Sequence, residues 1–444
     1  MSTLCDLPNE ILLEVVRGLG AIWSFETQSE AFKCKRTEIR RQRENHLRQR
    51  TLHALCLTSR RLRCLSIPTL YASSATSATR AGLTNLQLLH RTLSDPNSAL
   101  DQTRRLAEYV RSVENRLADF QGNSLQDDEA FQQGPSTTYF QLLADLVSCA
   151  PNIEHLCIVS LEYEEVSFWS HVLTKSLCFP YRSSTQLVRL SAQIHAPAWS
   201  SSREVSVLER MLRHAQSLPK LEELRISGAT TGSSVSLAFK TDEIGNLRRL
   251  DLLDCSLEID EVGELVFGCK HLRHLICKWA FVRVRRLTLR VLHMALLARA
   301  ETLETLTLDW QEIRCNTTTL PGRTTLESIR SMKSLRALDI CELGFLNDDH
   351  SLLDLPGQIA ENALSELLPE SLEQMTLILK GKNGDYDDHI LENASCLWQL
   401  SDDCRTSMSQ LKTICIKAGN NMCTPSLADA FASVGVELHT EIVI

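Results

Sequence analysis

The residues best suited to chemistry lie together at 269–277, CKHLRHLIC, where Cys269, His271, His274 and Cys277 offer nitrogen and sulfur donors of the kind zinc prefers. Their surroundings argue against a site. Leu272, Leu275 and Cys277 fall at the inward positions of a short strand, and successive strand residues point to opposite sides, so a tetrahedral cage would require the strand to break. No metal is expected here. No GxGxxG, GxxxxGK(S/T) or GxSxG element occurs anywhere in the chain, which removes the usual routes to nucleotide binding and to an activated serine. With 13 His and 16 Cys some Cys/His pair is inevitable, but neighbours in sequence need not meet in space. The acidic clusters EYEE (162–165), NDDH (347–350) and DYDDH (385–389) read as solvated surface. The sequence therefore points to no enzyme and to no cofactor.

The strand holding those histidines belongs to a series. From residue 106 a short LxxLxL-like phrase recurs, first as RRLAEYVRSVE and then as NIEHLCI, QLVRLSA, KLEELRI, NLRRLDL, HLRHLIC, TLETLTL, SLRALDI, SLEQMTL and QLKTICI. The lead residues of the nine later copies are Ile153, Leu187, Leu221, Leu247, Leu272, Leu303, Leu335, Leu372 and Leu411. Within each phrase the second and third apolar residues alternate with period two, the mark of a short strand with one buried face. Helix-like stretches lie between phrases, among them EIDEVGELVF, LRVLHMALLARA, QIAENALSELL and ENASCLWQLSDDC, and the final FASVGVELHTEIVI reads as a closing strand. No such unit can bury its leucines alone, so neighbouring copies must stack.

The polar residues between the leucines then face the opposite side of the strands. They are Arg189, Glu223, Arg225, Arg249, Asp251, His274, Thr307, Asp309, Asp339, Thr376 and Lys417, basic near Arg225 and Arg249 and acidic near Asp309 and Asp339. A partner of complementary charge is expected to lie across them.

Composition agrees with a stacked array. Leucine is the outlier with 73 of 444 residues, while aromatics make up 5%. The net charge of −8 argues against a dedicated nucleic-acid binder. It is unevenly spread: residues 1–70 hold 12 Lys+Arg against 7 Asp+Glu, and the rest hold 35 against 48. No apolar run approaches the ~18 residues of a membrane span. The opening MSTLCDLPNE lacks a basic region, and the cysteines show no CxxC pair, so a cytoplasmic or nuclear chain with reduced, core-filling cysteines is expected.

At the N-terminus the pattern changes. In LPNEILLEVVRGL, residues 7–19, Asp6 can cap a helix that Pro8 opens, and Glu10 and Glu14 suit the positive end of its dipole. Ile11, Leu12, Leu13, Val15, Val16 and Leu19 make that helix apolar on most of its circumference, more than one buried face requires. A second apolar segment, LHALCLTSRRLRCLSIPTL, spans 52–70. Some 70 residues cannot cover both helices, so they must dock on the rest of the chain or on another protein. Between them, residues 22–51 are rich in helix formers and basic side chains. They read as an exposed, solvated helix, or more sharply as a nuclear signal or phosphate patch at Lys33, Lys35, Arg36, Arg40, Arg41 and Arg43.

The LPNEIL opening followed by LxxLCLTSRRLRxLSIPTLY closely resembles the F-box motif in its fungal form, over residues 7–20 and 52–71. The repeats over 106–444 resemble an irregular leucine-rich-repeat array. The resemblance implies an α/β protein: a three-helix F-box at 1–72 with a basic helical insertion at about 22–51, a linker helix region at 73–105, and a curved leucine-rich-repeat solenoid with parallel strands inside and helices outside. By that resemblance Leu7, Pro8, Ile11, Leu12 and Val15 would meet a Skp-type adaptor, and through it a cullin, with Leu55 and Leu57 contributing from the second half. The spacing departs from the family, because 22–51 is longer than the usual interhelix stretch. The implied role is that of substrate receptor in an SCF-type cullin–RING ubiquitin ligase, with a target protein on the repeats. The alternative is a scaffold outside any ligase that uses the same adaptor-binding helices. Neither nucleic acid nor membrane is an expected partner.

Overall fold

The computed structural model describes residues 7–23, 35–77, 79–95, 105–116, 135–161, 186–195, 218–228, 244–280, 282–284, 289–310, 313–315, 328–341, 364–379, 395–418 and 425–442. They form an α/β protein whose chain divides into two compact units, Met1–Pro197 with Arg210–Leu221, and Ala198–Glu209 with Glu222–Ile444. The acidic clusters at 162–165, 347–350 and 385–389 lie outside the described residues, as does Lys33.

The first unit opens with three helices, α1 (Asn9–Gly18), α2 (Lys35–Thr58) and α3 (Arg60–Ala72). Ser59 caps α3 by accepting from the Leu62 amide at 3.2 Å. Arg61, in the first turn of α3, donates to the Leu7 carbonyl at 2.7 Å and to Asn9 Oδ1 at 2.8 Å, which fixes the start of α1 against that of α3. From α3 the chain runs directly into β1 (Ser73–Ser77), which pairs with β2 (Ser112–Arg116); β3 (His155–Leu161) and β4 (Arg189–His195) follow in order, all parallel. The first strand thus lies in the stretch expected to be a linker, which also holds helix α4 (Arg80–Ser94). One side of this sheet packs Val113, Leu156, Ile158 and Leu190 into the core, and helix α5 (Pro135–Cys149) lies on that side, its Tyr139 hydroxyl 2.6 Å from Thr76 Oγ1.

The second unit repeats the arrangement with more copies. Its strands are β5 (Glu223–Ser227), β6 (Arg249–Cys255), β7 (His274–Trp279), β9 (Thr305–Asp309), β11 (Ala337–Cys341), β12 (Gln374–Ile378), β13 (Thr413–Ala418) and β14 (Glu437–Ile442), parallel neighbours in that order. Two short strands, β8 (Val282–Val284) and β10 (Ile313–Cys315), pair with each other. The ladder is in register, so one inward row reads Leu224, Leu250, Leu275, Leu306, Leu338, Met375 and Ile414, all buried. All nine lead residues of the sequence phrase are buried, and each stands two residues before a strand. The intervening stretches supply helices, including α6 (Ile259–Gly268) and α7 (Arg290–Leu297). A Cβ on Gly263 would come within 2.8 Å of the Leu292 backbone nitrogen, so glycine is what lets these two helices approach.

Candidate interaction surfaces

Helix α1 divides its apolar residues between two directions. Leu12 and Val16 are buried against the chain's own helices, so Leu12 belongs to the internal packing and is closed to an outside partner. Pro8 is exposed, Ile11 is 50% exposed and Val15 45%, and the i, i+3, i+7 spacing puts the three on one face. Leu57 is 75% exposed near the end of α2, four residues before the arginine that holds the start of α1. Leu7 and Leu55 are half-buried. The apolar surface thus gathers at the end of the three-helix group where α1 begins and α2 ends.

The basic insertion is docked, contrary to the expectation of a fully solvated helix. Arg41 of α2 is buried, with Nη2 2.6 Å from Glu114 Oε1 and Nη1 donating to the Ile22 carbonyl at 2.6 Å. One turn on, Asn45 Oδ1 accepts from the Ile22 amide at 2.8 Å and its Nδ2 donates to the Ile22 carbonyl at 2.9 Å; Arg48 donates to the Gly20 carbonyl at 2.8 Å. Trp23, just beyond, sets its ring centroid 3.9 Å from that of His155. Glu114 and His155 belong to the polar rows of the first sheet, Ala75–Glu114–Cys157–Ser191 and Ser73–Ser112–His155–Arg189. Helix α2 and residues 20–23 therefore cover that side of the strands. Arg41 must be removed from any phosphate patch, since its charge is spent on Glu114. Sequence reasoning missed this contact because a buried ion pair between residues 73 positions apart leaves no local pattern.

The covering has electrostatic consequences. Burial pushes the Glu114 carboxyl up, although the Arg41 charge and hydrogen bonds draw it down. Burial, helped by the Arg189 charge, pulls His155 down to about 4, so its imidazole is neutral at ordinary pH.

In the second unit the corresponding rows are more open. Arg249, His274, Ile276, Lys278, Asp309, Asp339, Thr376, Cys415 and Lys417 are half-exposed, as is Glu223. Three of the expected face residues are buried: Arg225 and Asp251, which form an ion pair at 3.1 Å, and Thr307, whose hydroxyl reaches Asp339 at 3.3 Å. Arg249 closes on the other oxygen of Asp251 at 3.0 Å, so one carboxylate engages both arginines of the expected basic end. Lys417 pairs with Glu441 at 3.1 Å. Burial alone would lower its ammonium, but Glu441 and Asp339 raise it, and the net shift is upward. In the first unit Arg189 is half-exposed at the start of β4.

The 269–277 donors separate as the strand alternation requires. Cys269 and Cys277 are buried in the core, burial pushing the Cys269 thiol up to about 12; His271 is exposed, and His274 bonds Thr305 Oγ1 at 3.0 Å. Among the described residues no three such donors gather, and no helix is long and apolar enough to cross a membrane. No protein-family model matches the chain, and no curated protein matches it.

Proposed function

We propose that this chain is a substrate receptor of the F-box type. Its N-terminal helices hold a Skp-type adaptor and, through it, a cullin, while its leucine-rich repeats hold a target protein. The observation that carries this reading is the exposed apolar row Pro8, Ile11 and Val15, with Leu57 at the same end of the helices. Large apolar side chains left in water by a domain's own packing, on one face and beside polar rims, are the usual mark of a protein interface. On this reading the chain makes no bond itself; it raises the effective concentration of a target beside a ubiquitin-charged enzyme. Localisation in the cytoplasm or nucleus belongs to the same proposal.

The test is affinity purification of the full chain with adaptor and cullin as readouts. Ile11→Ala with Val15→Ala should lower adaptor affinity roughly thirtyfold or more, at about 2 kcal/mol or more for a buried interface anchor. Both side chains are about half exposed, so the loss of stability should be smaller than the loss of adaptor affinity, and circular dichroism should show the helices retained. Undiminished adaptor capture by this variant would remove the assignment. Capture of adaptor without cullin would favour a scaffold working outside a ligase.

A further inference from the structure

Helix α2 is built inside out. Its buried side carries Arg41, Asn45, Arg48 and Leu52, three polar residues committed to Glu114, Gly20 and Ile22. Its outward side carries Arg40, Arg43, Leu47, Arg50, Ala54 and Leu57, all exposed, with Leu47 57% and Leu57 75% accessible. The steps between these six are three, four, three, four and three residues, the alternation of a coiled-coil seam, and position 36, also arginine, continues it by one further step of four. A helix that only needed to sit on the sheet would keep leucines off its wet side. A helix that only needed solubility would alternate charge signs, whereas this seam holds arginine at every charged position.

We infer that the outward seam of α2 docks an acidic amphipathic helix of a partner protein, with carboxylates opposite Arg40, Arg43 and Arg50 and an apolar side chain over Leu47. A second copy of this chain does not fit, because the same seam against itself would bring two arginine rows together with no carboxylate between them and set Arg50 against Leu47 or another arginine. A membrane surface needs a wide apolar face, and this seam has large apolar side chains only at Leu47 and Leu57. Helix α2 is already fixed by its opposite side, so the partner meets a surface with little ordering cost. From Arg40 to Arg50, short of the adaptor-facing Leu57, the seam runs about 15 Å, enough for some three turns of a partner helix. The inference goes beyond the adaptor reading: Arg40 to Arg50 lie outside the matched motif.

The test uses the full chain and a fluorescent synthetic helix of about 21 residues with glutamate and leucine at its seam positions, set against a scrambled peptide of identical composition. The seam helix should bind at least about tenfold more tightly than the scramble, and weaken between about 50 mM and about 300 mM salt. Arg40→Glu with Arg43→Glu, or Leu47→Asp alone, should each cost about tenfold or more, while Ile11→Asp should leave binding unchanged. Equal binding of the scramble, indifference to the α2 substitutions, or no binding would overturn the inference. So would loss of binding in Ile11→Asp, which would make the seam part of the adaptor surface. Tighter binding of phosphatidylserine vesicles or of duplex RNA than of the peptide would also overturn it and assign the arginines to lipid or nucleic acid.

Discussion

The polar rows of the two units differ in what lies over them. In the first unit Ser112, Glu114, His155, Cys157 and Ser191 are buried, with α2 over Glu114 and Trp23 over His155, while Ser73 and Arg189 of the same rows are half-exposed and Ala75 is exposed. In the second unit the corresponding rows keep most of their side chains half-exposed. Both are built from the same repeated phrase, so the phrase does not decide whether a strand's polar side is available. What lies over or beside it does: α2 and Trp23 in the first unit, the Arg225–Asp251 pair in the second. A target sought on the repeats has more accessible polar strand surface in the second unit, and substitutions should separate the two regions by the size of their effects.

The largest effect is expected where the cover is charged. Glu114→Ala removes the carboxylate that the buried Arg41 guanidinium pairs with at 2.6 Å, which should cost about 3–5 kcal/mol. Hydrogen exchange at the amides of β2 and β3 would report it locally, where one global unfolding midpoint would mix two units. Lys278→Ala, on the half-exposed rows, should stay within about 0.5 kcal/mol. Comparable losses at the two sites would erase the distinction between covered and open rows.

Asp251→Ala sharpens the contrast within the second unit. Arg225 is buried and Asp251 is its partner at 3.1 Å, so removing the carboxylate should cost about 3 kcal/mol. Replacing both residues, Arg225→Met with Asp251→Leu, should recover most of that loss, because a buried ion pair traded for packed apolar groups is often near neutral. A double variant as unstable as Asp251→Ala would mean that the arginine alone organises this end of the face.

The smaller contact of the cover is aromatic. Trp23→Ala should cost about 1–2 kcal/mol in the first unit and open His155 to water. An NMR titration should then find the His155 imidazole moved from about 4 toward its ordinary 6.5. If it remains near 4, the neighbouring Arg189 rather than the ring holds it down.

How much of this was legible in the sequence follows from which contacts are local. Leu187, Leu272 and Leu411 announce strands two residues ahead because the repeat is a short-range pattern, and the stretches read as helical at 258–267 and 289–300 hold α6 and α7. Strand β1, SSATS, was invisible: its inward positions are Ser74 and Thr76, and Thr76 satisfies its hydroxyl on Tyr139 instead of filling the core with leucine. Alternation correctly set Arg225, Asp251 and Thr307 apart from the leucine side, but it could not show that Arg225 pairs with Asp251 or that Thr307 reaches Asp339, because those contacts run between neighbouring strands. For α2, local charge density suggested a wet helix, whereas the i, i+4, i+7 set Arg41, Asn45 and Arg48 faces protein. Exposed Ile11 beside buried Leu12 could not be resolved from composition either, since both are leucine-sized and apolar.

The smallest effect is a slope with pH, and it compares His155 with His274, which both stand at the first position of their strands. Folded His155 takes up its proton near 4 and the unfolded chain near 6.5, so between those values the unfolded state binds more protons. The stability that neutral His155 contributes is complete above 6.5 and falls as the pH drops toward 4. Glu114, whose folded value is raised, acts in the opposite sense and is common to wild type and variant. His274 is also lowered, by burial and then by Arg249, but Glu304, Asp251 and Glu223 push back. Local stability from hydrogen exchange, read in β3 for His155→Gln and in β7 for His274→Gln against wild type at several pH values between 7 and 4, should therefore show the shallowest decline in His155→Gln. His274→Gln should lie between that variant and wild type, because the covered histidine carries the larger penalty for a charge. The reverse order would mean that the open row, not the covered one, resists protonation more strongly.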